Sequence, residues 1–183
     1  MKRPARPTRA QLEDSRGLLL ADLAAPGLRV LFTGINPGLY SAWTGHHFAR
    51  PGNRFWPALH ASGFTPRLLR PDEQGELLGL GLGVTNVVAR ATARADELTA
   101  AELVAGGAEL RAKVIGLRPR WLAVSGVTAY RAAFAARRAV VGLQEATIGE
   151  TRIWVLPNPS GLNAHYSAGA LAEEFARLHR EVD

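Results

Sequence analysis

Four short apolar runs constrain the fold more than any other feature of this chain. Leu28-Arg29-Val30-Leu31-Phe32, Gly83-Val84-Thr85-Asn86-Val87-Val88, Trp121-Leu122-Ala123-Val124 and Ile153-Trp154-Val155-Leu156 are rich in β-branched and aromatic residues. Runs this short and this apolar have the character of buried strands rather than helices. Longer segments with helical spacing separate them. Strands that alternate with helices pair in parallel, because each crossover returns the chain to the same edge of the sheet. The expected fold class is α/β, a three-layer αβα arrangement with a central, mainly parallel sheet.

The helical segments carry their own punctuation. Thr99-Ala100-Ala101-Glu102 has the capping-box pattern, and Leu103, Leu110, Val114 and Leu117 follow at helical spacing up to Pro119. Gly106-Gly107 inside that helix costs about 1 kcal/mol per glycine relative to alanine, which points to close approach of a neighbouring element. A helix is expected over 11–24, with Leu12, Leu18, Leu19 and Leu23 among charges, stopped by Pro26-Gly27. Others are expected from Phe55 through His60, ended by Ser62-Gly63, briefly around Leu77 and Leu78, and over 127–138. The last begins near Ser167 and presents Leu171, Phe175, Leu178 and Val182 on one face. Residues 39–56 are aromatic and glycine-rich with no clean period, the mark of a functional loop. Residues 1–10 hold four basic residues, two prolines and no core former, so they read as a flexible basic tail before one domain over 11–183.

Composition narrows the chemistry. The absence of Cys excludes disulfides, thiolate zinc sites and cysteine-ligated iron–sulfur clusters, and fits a reducing cytoplasm. No apolar run approaches the roughly 18 residues of a membrane helix and the start lacks a signal-peptide core, so no membrane partner is expected. The formal net charge of +6 suits a polyanionic partner. Lys2 and Lys113 are the only lysines, however, and an Arg-, Ala-, Leu- and Gly-rich chain also follows from high-GC coding, so charge alone does not decide. The five histidines lack ligand spacing, and there is no phosphate-binding glycine loop, HExxH or G-x-S-x-G. Neither metal nor cofactor is expected.

Two strands empty into stiff, amide-bearing turns. The first run leads into Gly34-Ile35-Asn36-Pro37-Gly38, and the last into Pro157-Asn158-Pro159-Ser160-Gly161-Leu162-Asn163. Glycine allows unusual backbone angles and proline fixes its own φ while biasing the preceding residue toward extended geometry. Each turn therefore holds a carboxamide at the carboxyl end of a strand, where open α/β sheets bind ligands. A turn-forming role is the plainer reading of Asn36.

These two motifs, with Gly45-His46-His47-Phe48 and Pro51-Gly52-Asn53-Arg54-Phe55-Trp56 between them, resemble the mismatch-specific uracil/thymine-DNA glycosylases of the uracil-DNA glycosylase superfamily. The resemblance runs from about residue 28 to 182, and the second motif is similar to the bacterial form. It implies a DNA glycosylase of base excision repair that removes uracil from mismatches with guanine, with thymine and damaged pyrimidines as open questions. Removing a base requires extruding it from the stack, so a pocket, a stacking surface and a gap-filling side chain are needed. Asn36 cannot ionise but can hold an attacking water while neighbouring amides receive the charge developing on the base. In the family this Asn replaces the Asp of the most active uracil-removing branch, which implies a slow enzyme dependent on a good leaving group.

The resemblance assigns the remaining roles. Phe48 aligns with the ring that stacks on the flipped base, a contact worth roughly 1–3 kcal/mol, and Ile35, Ser41, His47 and Asn86 fall where the family binds the uracil. Loop packing is the plainer alternative for His47, and a strand-end cap for Asn86. Leu162 matches the apolar wedge that enters the vacated stack, with Gly161 and Asn163 toward the opposite-strand base, and Asn158 and Ser160 in the same DNA-contacting loop, Ser160 toward a phosphate. Any help from a carboxylate such as Asp96 is open. Double-stranded DNA with G·U mismatches is the expected partner, single-stranded DNA a further one, and a monomer in a bacterial cytoplasm, on the nucleoid, the expected setting. The alternatives are a DNA-binding module of the same fold without catalysis, and an enzyme acting on free nucleosides.

Overall fold

A computed structural model describes residues 6–183. Its centre is a five-stranded sheet of β1 (Val30–Gly34), β2 (Leu82–Asn86), β3 (Trp121–Ser125), β4 (Gly142–Ile148) and β5 (Thr151–Leu156) in the order β2-β1-β3-β5-β4. The pairs β1–β2, β1–β3 and β3–β5 are parallel; β4 joins β5 antiparallel. Alternate residues of each parallel strand face opposite layers. Val30, Phe32, Trp121, Ala123, Trp154 and Leu156 pack with helices α3 (Phe55–Ala61) and α7 (Ala168–Val182). Leu31, Leu122, Val124, Ile153 and Val155 pack on the other side with α5 (Ala100–Leu117) and α6 (Val127–Ala133). This is the expected three-layer α/β fold.

The helix signals translate directly. Thr99 accepts from the Glu102 amide and closes the capping box of α5. Gly106 and Gly107 sit where a Cβ would strike the carbonyls of Val87 and Ala133, so the glycine pair lets α5 touch the end of β2 and the end of α6. A brief α4 (Glu76–Gly79) buries Leu77, and in α7 Leu171, Phe175, Leu178 and Val182 are all buried.

Four expectations need correction. The helix over 11–24 is only α1 (Arg9–Glu13), capped by Thr8. Gly17 (φ +79°) ends the following turn, and residues 17–23 run extended beside 84–91, with Leu23 and Val84 exchanging backbone hydrogen bonds of 2.9 and 2.7 Å. That strip covers the otherwise open edge of β2. Its leucines, read at helical spacing, share no buried helical face: Leu20 is buried, whereas Leu18 and Leu19 are exposed, Leu19 to 74%. Residues 39–56 open with a short helix, α2 (Leu39–Thr44), between Gly38 and the left-handed Gly45, and only 46–54 are irregular before α3 begins. The helix expected to reach 138 ends at Ala133, where the chain turns through Ala135 at φ +53°. Strand β4 had no sequence signal: it is a largely solvent-facing edge with a register shift, so neither an apolar run nor a clean alternation marks it. Of the tail expected over 1–10, residues 1–5 lie outside the described residues.

The order of the strands locates the crevice. After β1 the chain crosses to β2 on one side, and later enters β3 on the other side of β1. The loops leaving β1 and β3 therefore diverge, and a cleft opens between the carboxyl ends of those strands.

Candidate active site

A cavity of about 390 Å³ occupies that cleft, bordered by Ile35 and Asn36 after β1, Asn86 at the end of β2, Ser125 at the end of β3, and Asn158, Ser160 and Leu162 after β5. The loop after β1 is zipped to the chain leaving β2. Val87, Val88 and Thr92 donate backbone hydrogen bonds to the carbonyls of Gly34, Ile35 and Pro37 at 2.9, 2.9 and 3.1 Å.

Within this frame the Asn36 carboxamide has one orientation. Its Nδ2 donates to the Arg90 carbonyl at 3.0 Å and to Thr92 Oγ1 at 2.8 Å. A carbonyl can only accept, and the Thr92 hydroxyl donates onward to the Arg94 carbonyl at 2.7 Å, so it too must accept from Asn36. Both amide hydrogens are thereby committed. Oδ1 receives no hydrogen bond from any described residue and remains as a bare acceptor on a half-buried side chain beside the cavity. Arg90 is itself pinned by Glu102, whose carboxyl is lowered to about 2, chiefly by that side-chain contact.

Gly34 closes the inner end. A Cβ there would lie 2.7 Å from Asn86 Oδ1 and 3.2 Å from the Phe48 ring, so only glycine lets these two groups approach over it. Phe48 adopts φ +51°, and its ring stacks on Phe55 at 4.0 Å between centroids. Phe55 takes one face of the ring, which leaves the opposite face for any ligand. Ser41 is buried on the same wall and accepts from the Ala49 amide at 3.0 Å. His47 is only 2% exposed, and burial lowers its pKa, so the ring is neutral at pH 7. Asp96 stands at the mouth, paired with Arg94 at 2.9 Å.

The second loop folds on its own side chains. Asn158 Oδ1 accepts from the Ser160 amide at 2.9 Å, Ser160 Oγ from the Leu162 amide at 3.2 Å, and Asn163 Nδ2 donates to the Asn158 carbonyl at 3.0 Å. Leu162 projects from this hub, 75% exposed, at the rim of the cavity. Gly161 and Asn163 do not line the cavity: Gly161 rests on the Gly52 carbonyl, and the Asn163 side chain is committed inside the loop. Arg54, at the start of α3, ties that segment to the second loop, donating to the carbonyls of Ser160, Asn163 and Tyr166 at 2.7, 3.0 and 2.5 Å.

The two amide-bearing turns thus meet at one cavity, which collects Ile35, Asn36, Ser41, His47, Phe48, Asn86, Asn158, Ser160 and Leu162 from segments far apart in sequence. Sequence reasoning missed Thr92, the Arg90 carbonyl, Arg54 and Ser125. Thr92 and Arg90 act on Asn36 from a stretch with no motif. Ser125 brings a buried hydroxyl without a hydrogen-bond partner among the described residues.

The family description that matches this chain is the uracil DNA glycosylase superfamily, over residues 21–181. Its members are DNA glycosylases, hydrolases of base excision repair that act on DNA. The match spans all five strands and both loops of the cavity. With that sheet order and a cleft at the carboxyl ends of β1 and β3, the chain belongs to the uracil-DNA glycosylase superfamily.

Proposed function

We propose that the protein is a monofunctional glycosylase that excises uracil from G·U-type mismatches in DNA. The observation that carries this reading is the fixed Asn36 carboxamide, whose only free polar atom is an acceptor beside the cavity. An acceptor there aligns a water for attack on C1′ of the extruded nucleotide. As the C1′–O bond forms, the C1′–N bond breaks and its electron pair leaves with the base, while the water sheds a proton to solvent. A neutral amide takes up no proton, so the rate rests on alignment and on how well the base carries negative charge. Uracil satisfies the second condition better than thymine, because the 5-methyl group of thymine donates electron density.

The surrounding side chains fit the remaining tasks. Phe48 offers a ring face for the extruded base. The Asn86 carboxamide, between His47 and Gly34, suits a pyrimidine edge, and Ser41 adds a hydroxyl to the cavity lining. Leu162, unsupported in the free protein, fits the gap left in the duplex. A monofunctional mechanism, without a covalent amine intermediate, agrees with Lys113, the one lysine among the described residues, which is engaged by Asp22 and Thr85 and does not line the cavity.

The test is alkali-induced strand cleavage of a labelled duplex after incubation with the protein, with uracil or thymine opposite guanine and uracil opposite adenine. Cleavage at G·U above A·U is expected. Intact strands throughout would leave a DNA-binding module without catalysis.

A further inference from the structure

The buried imidazole of His47 has a position but no part in the chemistry above, and its contacts determine more than packing. Nε2 lies 3.0 Å from the Ala21 carbonyl. A carbonyl only accepts, so Nε2 carries the hydrogen, and in a neutral ring Nδ1 is then left as an acceptor. Nδ1 lies 3.5 Å from Asn86 Nδ2. An acceptor at Nδ1 calls for the amino group of Asn86, which turns Oδ1 away from the histidine toward Gly34, where an added Cβ would lie 2.7 Å from that oxygen.

The surroundings hold this relay in register. The His47 amide donates to Gln74 Oε1 and the Gln74 side chain rests on the Gly45 carbonyl, at 2.8 and 3.3 Å. The Trp56 indole donates to the His47 carbonyl at 3.2 Å. On the other side, Asp22, next to Ala21, is fixed by Thr85 and Lys113, each at 2.5 Å. Thr85 directly precedes Asn86 in β2, so the strip that presents the Ala21 carbonyl is anchored to the strand that presents Asn86.

We propose that His47 is a specificity-positioning residue: its single tautomer, imposed by the Ala21 carbonyl, makes Asn86 present a hydrogen-bond acceptor to the cavity. An acceptor suits a base edge bearing N3–H, as in uracil, and opposes one whose N3 is itself an acceptor, as in cytosine. The reverse tautomer would donate to Asn86, turn its amino group to the cavity and invert that choice. This inference rests on the glycosylase reading of the same cavity.

The experiment is a double-mutant cycle of His47→Phe and Asn86→Ala, read by single-turnover excision from a G·U duplex, with melting temperature as the folding control. Loss of one neutral hydrogen bond predicts about a tenfold fall for His47→Phe. Asn86→Ala falls as far or further, and the double variant is no slower than Asn86→Ala, because His47 acts only through Asn86. Additive losses would overturn the proposal. Where His47→Phe fails to fold, His47→Asn replaces it in the cycle. Its amide can face Asn86 with either end, so the preference for uracil over cytosine, each placed opposite thymine, narrows at unchanged melting temperature. An unchanged preference would overturn the proposal. A wild-type protein inert on every uracil substrate would instead overturn the glycosylase reading, and the inference with it.

Discussion

Leu162→Ala isolates the step at which the base leaves the stack. In the free protein Leu162 is 75% exposed on a loop whose shape comes from Asn158, Ser160 and Asn163, so truncation leaves the fold intact. Surface changes of this kind shift stability by about 0.5 kcal/mol or less. On the proposed function the side chain is surrounded by bases once it fills the gap in the duplex. Leu→Ala removes three carbons, each worth about 0.8 kcal/mol when taken out of water. Scaled by the exposed fraction, that is about 1.8 kcal/mol, or roughly a 20-fold change at 1.4 kcal/mol per decade. Single-turnover excision from a G·U duplex should slow by about that factor, while a single-stranded uracil oligonucleotide, which has no gap to fill, should react at the wild-type rate. Equal slowing on both substrates would refute the wedge, and a fall in melting temperature of several degrees would show that the loop depends on Leu162.

Three further outcomes follow from the cavity. Thr92→Val removes the acceptor for one Asn36 hydrogen and frees the amide to rotate, so kcat should fall about tenfold, the worth of one neutral hydrogen bond, with KM unchanged; a rise in KM alone would show Thr92 acting on binding. Gly34→Ala places a methyl group 2.7 Å from Asn86 Oδ1 and 3.2 Å from Phe48, and overpacking of this kind costs about 1–3 kcal/mol. Base capture should fail in a titration of duplex binding and excision, and normal activity would show that the inner wall yields. Glu102, lowered to about 2 by Arg90, stabilises the fold while ionised. That stabilisation is complete above its unfolded value near 4.5 and is lost as pH falls toward 2. Melting curves of Glu102→Gln should therefore fall less steeply than wild type across that window; parallel curves would remove the Arg90 pairing from acid stability.

The sequence carries four of the five strands, most helices and both amide-bearing turns, because each rests on local signals: short apolar runs, a capping box, and proline or glycine at fixed places. Asn36 stands out by the same local signal, whereas Phe48, Asn86 and Leu162 are singled out through the family resemblance of the segments that carry them. What fixes them could not be singled out. The Arg90 carbonyl is a backbone atom, which no residue type announces, and Thr92 becomes an orienting group only once β2 lies beside β1. Arg54 lies within a recognisable segment, yet its partners are carbonyls more than a hundred residues away. The leucines at 18–23 illustrate the converse error, since a period compatible with a helix belongs here to an extended strip against β2. Edge strand β4 escapes because solvent on one face removes the need for an apolar run.

If a neutral, fixed amide aligns the attacking water, Asn36→Ala separates binding from chemistry when both are measured on the same G·U duplex. Duplex affinity should stay unchanged while single-turnover excision falls by about 10²–10³-fold, the range seen when one preorganised polar contact to the reacting atoms is removed. Wild-type excision in that variant would contradict that alignment.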